Sequence, residues 1–260
     1  GFLIQASSPI SAYYEILGET PNNPEIFALK GKNALGTNFF TPFQNLIDNS
    51  SSYFPTPYAA FDIVATENNT QVTITPTQAL VGHAANAPFT ITLDRGQTYS
   101  AQAVSQSSFQ HPAGSRVVAT KPVAITVKDD LLEGGQIAVG TCRDVVGDQI
   151  VPVEKLGTKY VVQKGFLNSD ERVYVLATQP STDISFDGTF QGTMNLGDTW
   201  EISVSAGSHF LETSAPVYVF QLTGTNCELA GATLPALDCG GSSSVRFVRT
   251  TGEDFYLFLV

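Results

Sequence analysis

Apolar and polar residues alternate by twos along most of this chain. "QVTITP" (Gln71–Pro76), "FTITL" (Phe89–Leu93), "PVAITV" (Pro122–Val127) and "EISVSA" (Glu201–Ala206) each put every second side chain on one face. Such a period predicts strands with one face in a core and one in water. Turn chemistry separates them at Asn68-Asn69, Arg95-Gly96, Leu156-Gly157, Asp187-Gly188 and Leu196-Gly197. No stretch of ten residues carries a helical stripe, and "VPVEKLG" (Val151–Gly157) predicts one turn at most.

The strand text repeats. "GSRVVATKPVAITV" (Gly114–Val127) returns as "GSHFLETSAPVYVF" (Gly207–Phe220), and "GFLIQASSPISAYY" (Gly1–Tyr14) has the same outline. "VATENNTQVTITP" (Val64–Pro76) matches "LATQPSTDISFDG" (Leu176–Gly188), which aligns Ala65-Thr66 with Ala177-Thr178 and Thr70 with Thr182. Further on, Gly96 aligns with Gly197 and Tyr99 with Trp200, so Trp200 reads as core. A second proline recurs at Pro42, Pro152 and Pro235. The units this implies are 1–113, 114–206 and an incomplete 207–260, in one repeat-built all-β region of a longer protein. Groups at 61–104, 114–165 and 172–206 suggest repeated four-stranded antiparallel sheets, propeller-like, with tandem β-sandwiches as the alternative. In this reading Pro122 and Pro216 begin strands, where a missing N–H is tolerated. Val123, Ile125, Val127, Val217 and Val219 are then buried.

Charge narrows the partners. The chain has 260 residues, with 13 Lys+Arg against 24 Asp+Glu and a net charge of −11. An acidic surface repels phosphate, which argues against nucleic acid and anionic membranes. No apolar run reaches the roughly 18–20 residues that span a bilayer. "GFLIQASSPI" lacks the basic n-region of a signal peptide, so any targeting signal is expected outside this segment.

Chemistry-bearing residues are few. There is no G-x-S-x-G elbow, H-E-x-x-H, C-x-x-C, EF-hand loop or P-loop. The three histidines, His83, His111 and His209, read as exposed loop residues. No catalytic or cofactor-binding residues are assigned, and no metal is expected. If a cation binds, Ca²⁺ near Asp129-Asp130 or Asp144/Asp148 fits the oxygen-rich insertion "KDDLLEGGQIAVGTCRDVVGDQ". Of the three cysteines, Cys227 and Cys239 lie close in a Gly-containing loop and predict a disulfide, which leaves Cys142 as a buried free thiol. "NSSSYFPTPYAAF" (Asn49–Phe61) has no counterpart in the second repeat. Tyr53, Phe54 and Tyr58 in it form either a lid over the sheet edge or a protruding interaction patch.

Five stretches carry a family likeness: "NPEIFALKGKNALGTNFFTPFQ" (Asn23–Gln44), "IVATENNTQVTITP", "FTITLDRGQTYSA", "GSRVVATKPVAIT" and "CRDVVGDQIVPVEKLGTKYVV" (Cys142–Val162). In this order they resemble the N-terminal domain family of IgGFc-binding protein, and more closely its bacterial relatives in secreted surface proteins of Bacteroidetes. The resemblance implies a non-enzymatic extracellular or cell-surface module for adhesion or surface architecture. It supports the Cys227–Cys239 pairing and carries over no catalytic residue. The implied partners are a protein or glycan at a surface, with self-assembly through open sheet edges. The alternative is a carbohydrate-binding or carbohydrate-active propeller. Acidic side chains converging in one deep pocket would favour that alternative.

Overall fold

Alternation becomes strand nearly everywhere it is read. The computed structural model describes residues 4–8, 10–16, 25–239 and 252. Strands β1 (Ala12–Ile16) and β2 (Glu25–Leu29) pair antiparallel with each other. A first unit follows: β3 (Gly36–Phe40), β4 (Ala59–Ala65), β5 (Thr70–Thr75), β6 (Phe89–Leu93), β7 (Thr98–Gln102), β8 (Arg116–Glu133) and β9 (Arg143–Ile150). A second unit comprises β10 (Gly157–Gln163), β11 (Phe166–Leu167), β12 (Glu171–Ala177), β13 (Thr182–Phe186), β14 (Thr189–Met194), β15 (Thr199–Val204), β16 (Ser208–Asn226) and β17 (Glu228–Thr233).

Each unit is organised by one long strand, 18 residues in β8 and 19 in β16. The first part of β8 pairs with β3 and β5, and its second part with β4 and β9. β16 does the same with β10 and β13, then with β12 and β17. β6, β7, β14 and β15 complete the order as outer strands. The long strand therefore belongs to two leaves at once, and the leaves face each other across one core. Among the described residues these two sheets are seven- and eight-stranded, and separate four-stranded blades do not form.

The correction turns on two residues. Pro122 and Pro216 do not begin strands; they lie inside β8 and β16, where pairing switches from one leaf to the other. A proline fits there because the switch leaves its position without a ladder donor to supply. Its carbonyl is still satisfied. Thr66 Oγ1 donates to Pro122 O at 2.6 Å, and Thr178 Oγ1 donates to Pro216 O at 2.6 Å. The aligned Ala-Thr pairs of the two repeats are thus equivalent caps on equivalent bends. Thr70 and Thr182 also match, each closing its own turn onto the carbonyl three residues earlier.

The first unit's core holds Val123, Ile125 and Val127, with Phe39, Phe61, Ile63 and Ile74. Val217 and Val219 lie in the second core with Val173, Val175 and Ile184. All five predicted valine and isoleucine positions are buried, so the register follows the alternation. The opposite face of β12 and β16 is buried as well. Leu176 and Tyr218 join the first unit's core, and Tyr174, Phe220 and Leu222 pack with Ile47, Leu132 and Val146. The Tyr218 hydroxyl donates to Val151 O at 2.7 Å. The apolar runs "VYVLA" and "VYVFQL" reflect this burial on both faces. Trp200 is partly buried on the second core, as its alignment with Tyr99 implied.

Among the described residues β1 pairs with β2 alone. Of the expected third copy of the opening motif at Gly1–Tyr14, residues 4–8 and 10–14 are described, and only Ala12–Tyr14 is strand, in the five-residue β1, so it does not form a long shared strand like β8 and β16. The last part of unit 207–260 falls largely outside the described residues.

Candidate interaction surface

The insertion between β3 and β4 is built in two halves. Its first half, Thr41–Ser50, is mostly buried, with Leu46 and Asp48 exposed. Phe43 and Ile47 enter apolar cores, and Gln44 is held from several sides. Gln44 Oε1 accepts the N–H groups of Leu46 and Ile47 at 2.8 Å, and its Nε2 donates to Ile47 O at 2.8 Å. His111 sits beside it. His111 Nε2 lies 3.0 Å from Asn49 Oδ1, and its Nδ1 lies 3.4 Å from Asp129 Oδ1. Gln44 Nε2 donates to Asp129 Oδ2 at 3.2 Å. Asp129 is wholly buried, and burial raises its pKa against the pull of His111. His111 is therefore an interior residue that pins the insertion onto β8, not the exposed loop histidine expected. Asn49 is also buried here.

The second half, Ser51–Thr56, projects. Phe54 is 96% exposed and precedes a cis proline, Pro55. Tyr53 is exposed on one side and carries the Arg143 guanidinium 5.4 Å from its ring centre on the other. Such cation–π contacts hold an aromatic in place while leaving an edge free. Tyr58 is half-buried, and its carbonyl accepts the N–H of Asp130. The structure thus presents Tyr53 and Phe54 and withdraws Tyr58 into the wall. The insertion is a lid in its first half and a protrusion in its second.

Other loops join this end. Ser108 N donates to Asp48 Oδ1 at 2.7 Å, which sets Phe109, 80% exposed, beside the insertion. Asp48 N donates to Gln136 Oε1 at 3.3 Å. Val139, also 80% exposed, exchanges two hydrogen bonds with the Asn168 side chain, next to exposed Phe166. Nothing in the alternating pattern marked Phe109, Val139 or Phe166, since each lies in a loop or in a two-residue strand.

The disulfide lies under this rim. It joins Cys142 to Cys227, with Cα atoms 5.5 Å apart. The expected Cys227–Cys239 bond is therefore not formed, and Cys142 is not a free thiol. Proximity in sequence misled because β9 and β17 pack beside each other and carry Cys142 and Cys227 to one end. Gly140 lies directly against Cys227, at φ 144°, where a side chain would collide with the sulfur. The only group of possible metal ligands gathered within coordination range among the described residues is Cys142, Cys227 and Glu228. Both sulfurs are bonded to each other, so Glu228 alone keeps a free ligand atom.

The other candidate ligands separate. Asp148 Oδ2 accepts from Lys30 Nζ at 2.5 Å and from Thr233 N at 2.8 Å, which spends that oxygen. Asp144 is buried next to Glu228, and its Oδ2 accepts the Leu229 N–H at 2.7 Å. Burial first, then the Glu228 carboxyl, raises its pKa to about 7. Asp130 is exposed enough to approach Lys128 at 4.0 Å. A cleft of about 620 Å³ opens at the joint between the units, and among the described residues Glu154 is the one carboxylate lining it.

The sequence profile described as "IgGFc binding protein" matches residues 27–253. The chain belongs to the IgGFc-binding family. Membership points to an extracellular binding module, and the disulfide is consistent with a secreted protein. No curated protein matches the chain. Among solved structures it is similar to an anti-sigma factor domain-containing protein from Clostridium clariflavum, at 12% identity over 86% of this chain and 96% of that one. The TM-score is 0.18, too low for that likeness to carry an argument. No described helix is long and apolar enough to cross a membrane.

Proposed function

We propose that this chain is a non-enzymatic, protein-binding module of an extracellular surface protein, used for adhesion, and that its loop end is the contact surface. The observation that carries this reading is the Tyr53-Phe54 turn. Two aromatic side chains stand in water on a segment whose root is fixed by a buried Gln44–Asn49–His111–Asp129 network. A large apolar side chain held in solvent by a rigid base costs little entropy on binding, and such residues dominate interface energies. Phe109, Val139 and Phe166 extend the same end. The cleft at the joint offers one carboxylate and so gives little support to the carbohydrate-active alternative.

The test is a binding panel on the purified chain: immunoglobulin Fc, mucin glycoprotein, a glycan array and the chain itself. A protein analyte should bind, and Phe54→Ala with Phe109→Ala should weaken it at least tenfold while circular dichroism stays unchanged. Binding to free glycans that ignores both substitutions, or turnover of a glycoside substrate, would overturn the reading. Self-association rests on a separate observation. β6, β7, β14 and β15 each have one ladder neighbour among the described residues, and Phe190 is exposed on β14.

A further inference from the structure

One lysine differs from the rest. Lys30 directly follows β2 and holds its Nζ 2.5 Å from Oδ2 of Asp148 on β9. The other lysine–carboxylate pairs among the described residues stand at 3.6–4.0 Å. Thr233, the last residue of β17, completes the group. Its N–H donates to the same Oδ2 at 2.8 Å, and its Oγ1 lies 2.5 Å from both Oδ2 and Nζ. The Asp148 side chain is 7% exposed and the Lys30 side chain 22%. Both backbones are fixed. Asp148 pairs in register with Val127 on β8, and Lys30 N donates to Gln149 Oε1 at 2.6 Å. The amine and the carboxyl therefore meet from separate segments with little freedom left to either.

A carboxyl carbon lies about 1.23 Å from its oxygen, so Nζ is within about 3.7 Å of Asp148 Cγ. That is close to the roughly 3–3.5 Å of a near-attack arrangement. We propose that Lys30 and Asp148 condense to an intramolecular amide, a covalent bridge from the β2 segment to β9. From the neutral amine and the neutral acid, Nζ attacks Cγ, the C–N bond forms and the Cγ–Oδ2 bond breaks. Oδ2 leaves as water with one proton from the acid and one from the amine, so no oxidant or reductant is needed. Thr233 Oγ1 touches both Nζ and Oδ2, and passes the amine proton to the departing oxygen. Burial lowers the Lys30 pKa against the pull of Asp148, which brings the neutral nucleophile within reach. Condensation also removes two buried charges whose desolvation is costly. Fixed pairs of this kind reach effective molarities of roughly 10⁵–10⁸ M, which offsets the hydrolysis that water favours. The bridge joins residues 118 apart. It does not depend on the loop-end surface, so either reading can fail without the other.

The experiment is intact-mass spectrometry of the whole purified chain after denaturation. The chain should be lighter by one water than its sequence requires, beyond the hydrogens lost in the disulfide. Fragmentation of a digest should recover the Lys30 peptide joined to the Asp148 peptide, and Lys30 should resist acylation in denaturant. Lys30→Met keeps the apolar stem and should restore the full mass. Thr233→Val should slow the appearance of the lighter species at least tenfold in freshly translated chain. A wild-type chain of full mass, with Lys30 open to acylation in denaturant, would overturn the proposal and leave an ion pair; that measurement needs no variant to fold. A deficit of one water that persists in Lys30→Met would overturn it too, by placing the dehydration elsewhere. Bond formation at the wild-type rate in Thr233→Val would overturn the proton relay.

Discussion

Breaking the Cys142–Cys227 bond is the sharpest perturbation the fold offers. The two cysteines are 85 residues apart, and the bond links the loop before β9 to the turn before β17. Chain-entropy reasoning for a closed loop of that length gives about 4.5 kcal/mol of destabilisation of the unfolded state. That is a large share of the roughly 5–15 kcal/mol total expected of a domain. The substitution Cys142→Ala with Cys227→Ala keeps the neighbourhood apolar and removes only the link. The assay is urea unfolding of both proteins, followed by tryptophan fluorescence and by circular dichroism. Trp200, the single tryptophan, reports on the second unit, and circular dichroism reports on both. The variant should lose about 3–5 kcal/mol. Peptide mapping without reductant should recover Cys142 linked to Cys227. A loss below about 1 kcal/mol would refute the loop-closure argument. A Cys227–Cys239 peptide would refute the pairing itself.

Thr66→Val and Thr178→Val each remove the hydroxyl that caps a half-buried proline carbonyl at a strand switch, and each should cost about 1–3 kcal/mol in thermal unfolding. Equal losses would support the equivalence of the units, and a loss at one alone would count against it. His111→Ala should cost about 2–4 kcal/mol because it strands Asn49 and Asp129, whereas Phe54→Ala should stay within about 0.5 kcal/mol. His209 touches Asp187 Oδ2 through Nδ1 and Ala206 O through Nε2, each at 2.7 Å, so both ring nitrogens donate and the ring is cationic. The Asp187 hydrogen bond raises the pKa of His209, and His209 in turn lowers that of Asp187. The histidine's contribution is complete below its ordinary value of about 6.5 and fades as pH rises through its folded value. The aspartate's contribution is present above about 3.8 and is lost as pH falls through its own folded value. NMR titration should show the raised histidine pKa, and Asp187→Asn should return it to its ordinary value.

Much of the architecture was legible because alternation constrains register tightly. Val123 to Val127 could be read as inward-facing from their spacing alone, and the Ala-Thr pairs aligned before their capping role was visible. The prolines misled because one property, a missing N–H, suits both a strand start and a switch point within a strand. Sequence reading therefore cut each long strand from the leaf it shares. The doubly buried face of β12 and β16 did leave a signal, the unbroken "VYVLA" and "VYVFQL", but such runs read equally well as ordinary core. The disulfide partner was not legible. Cys142 and Cys227 meet only because β9 and β17 pack, and that packing is a property of the assembled units. Of the interaction patch, the composition of Asn49–Phe61 pointed to the right segment, while the division between Phe54 outside and Tyr58 half inside needed the fold.

The shared wall formed by Tyr174, Leu176, Tyr218, Phe220 and Leu222 has a mechanical meaning. Independent domains joined by a linker can swivel, so their loops sample many separations. Here the second unit has no outer face of its own at the joint, and rotating it would expose those five large side chains to water at about 1.5–3 kcal/mol each. The two units therefore bend as one beam. The spacing between the aromatic turn on the first and the Phe166 rim on the second is a fixed gauge, able to measure a partner's shape rather than wrap around it.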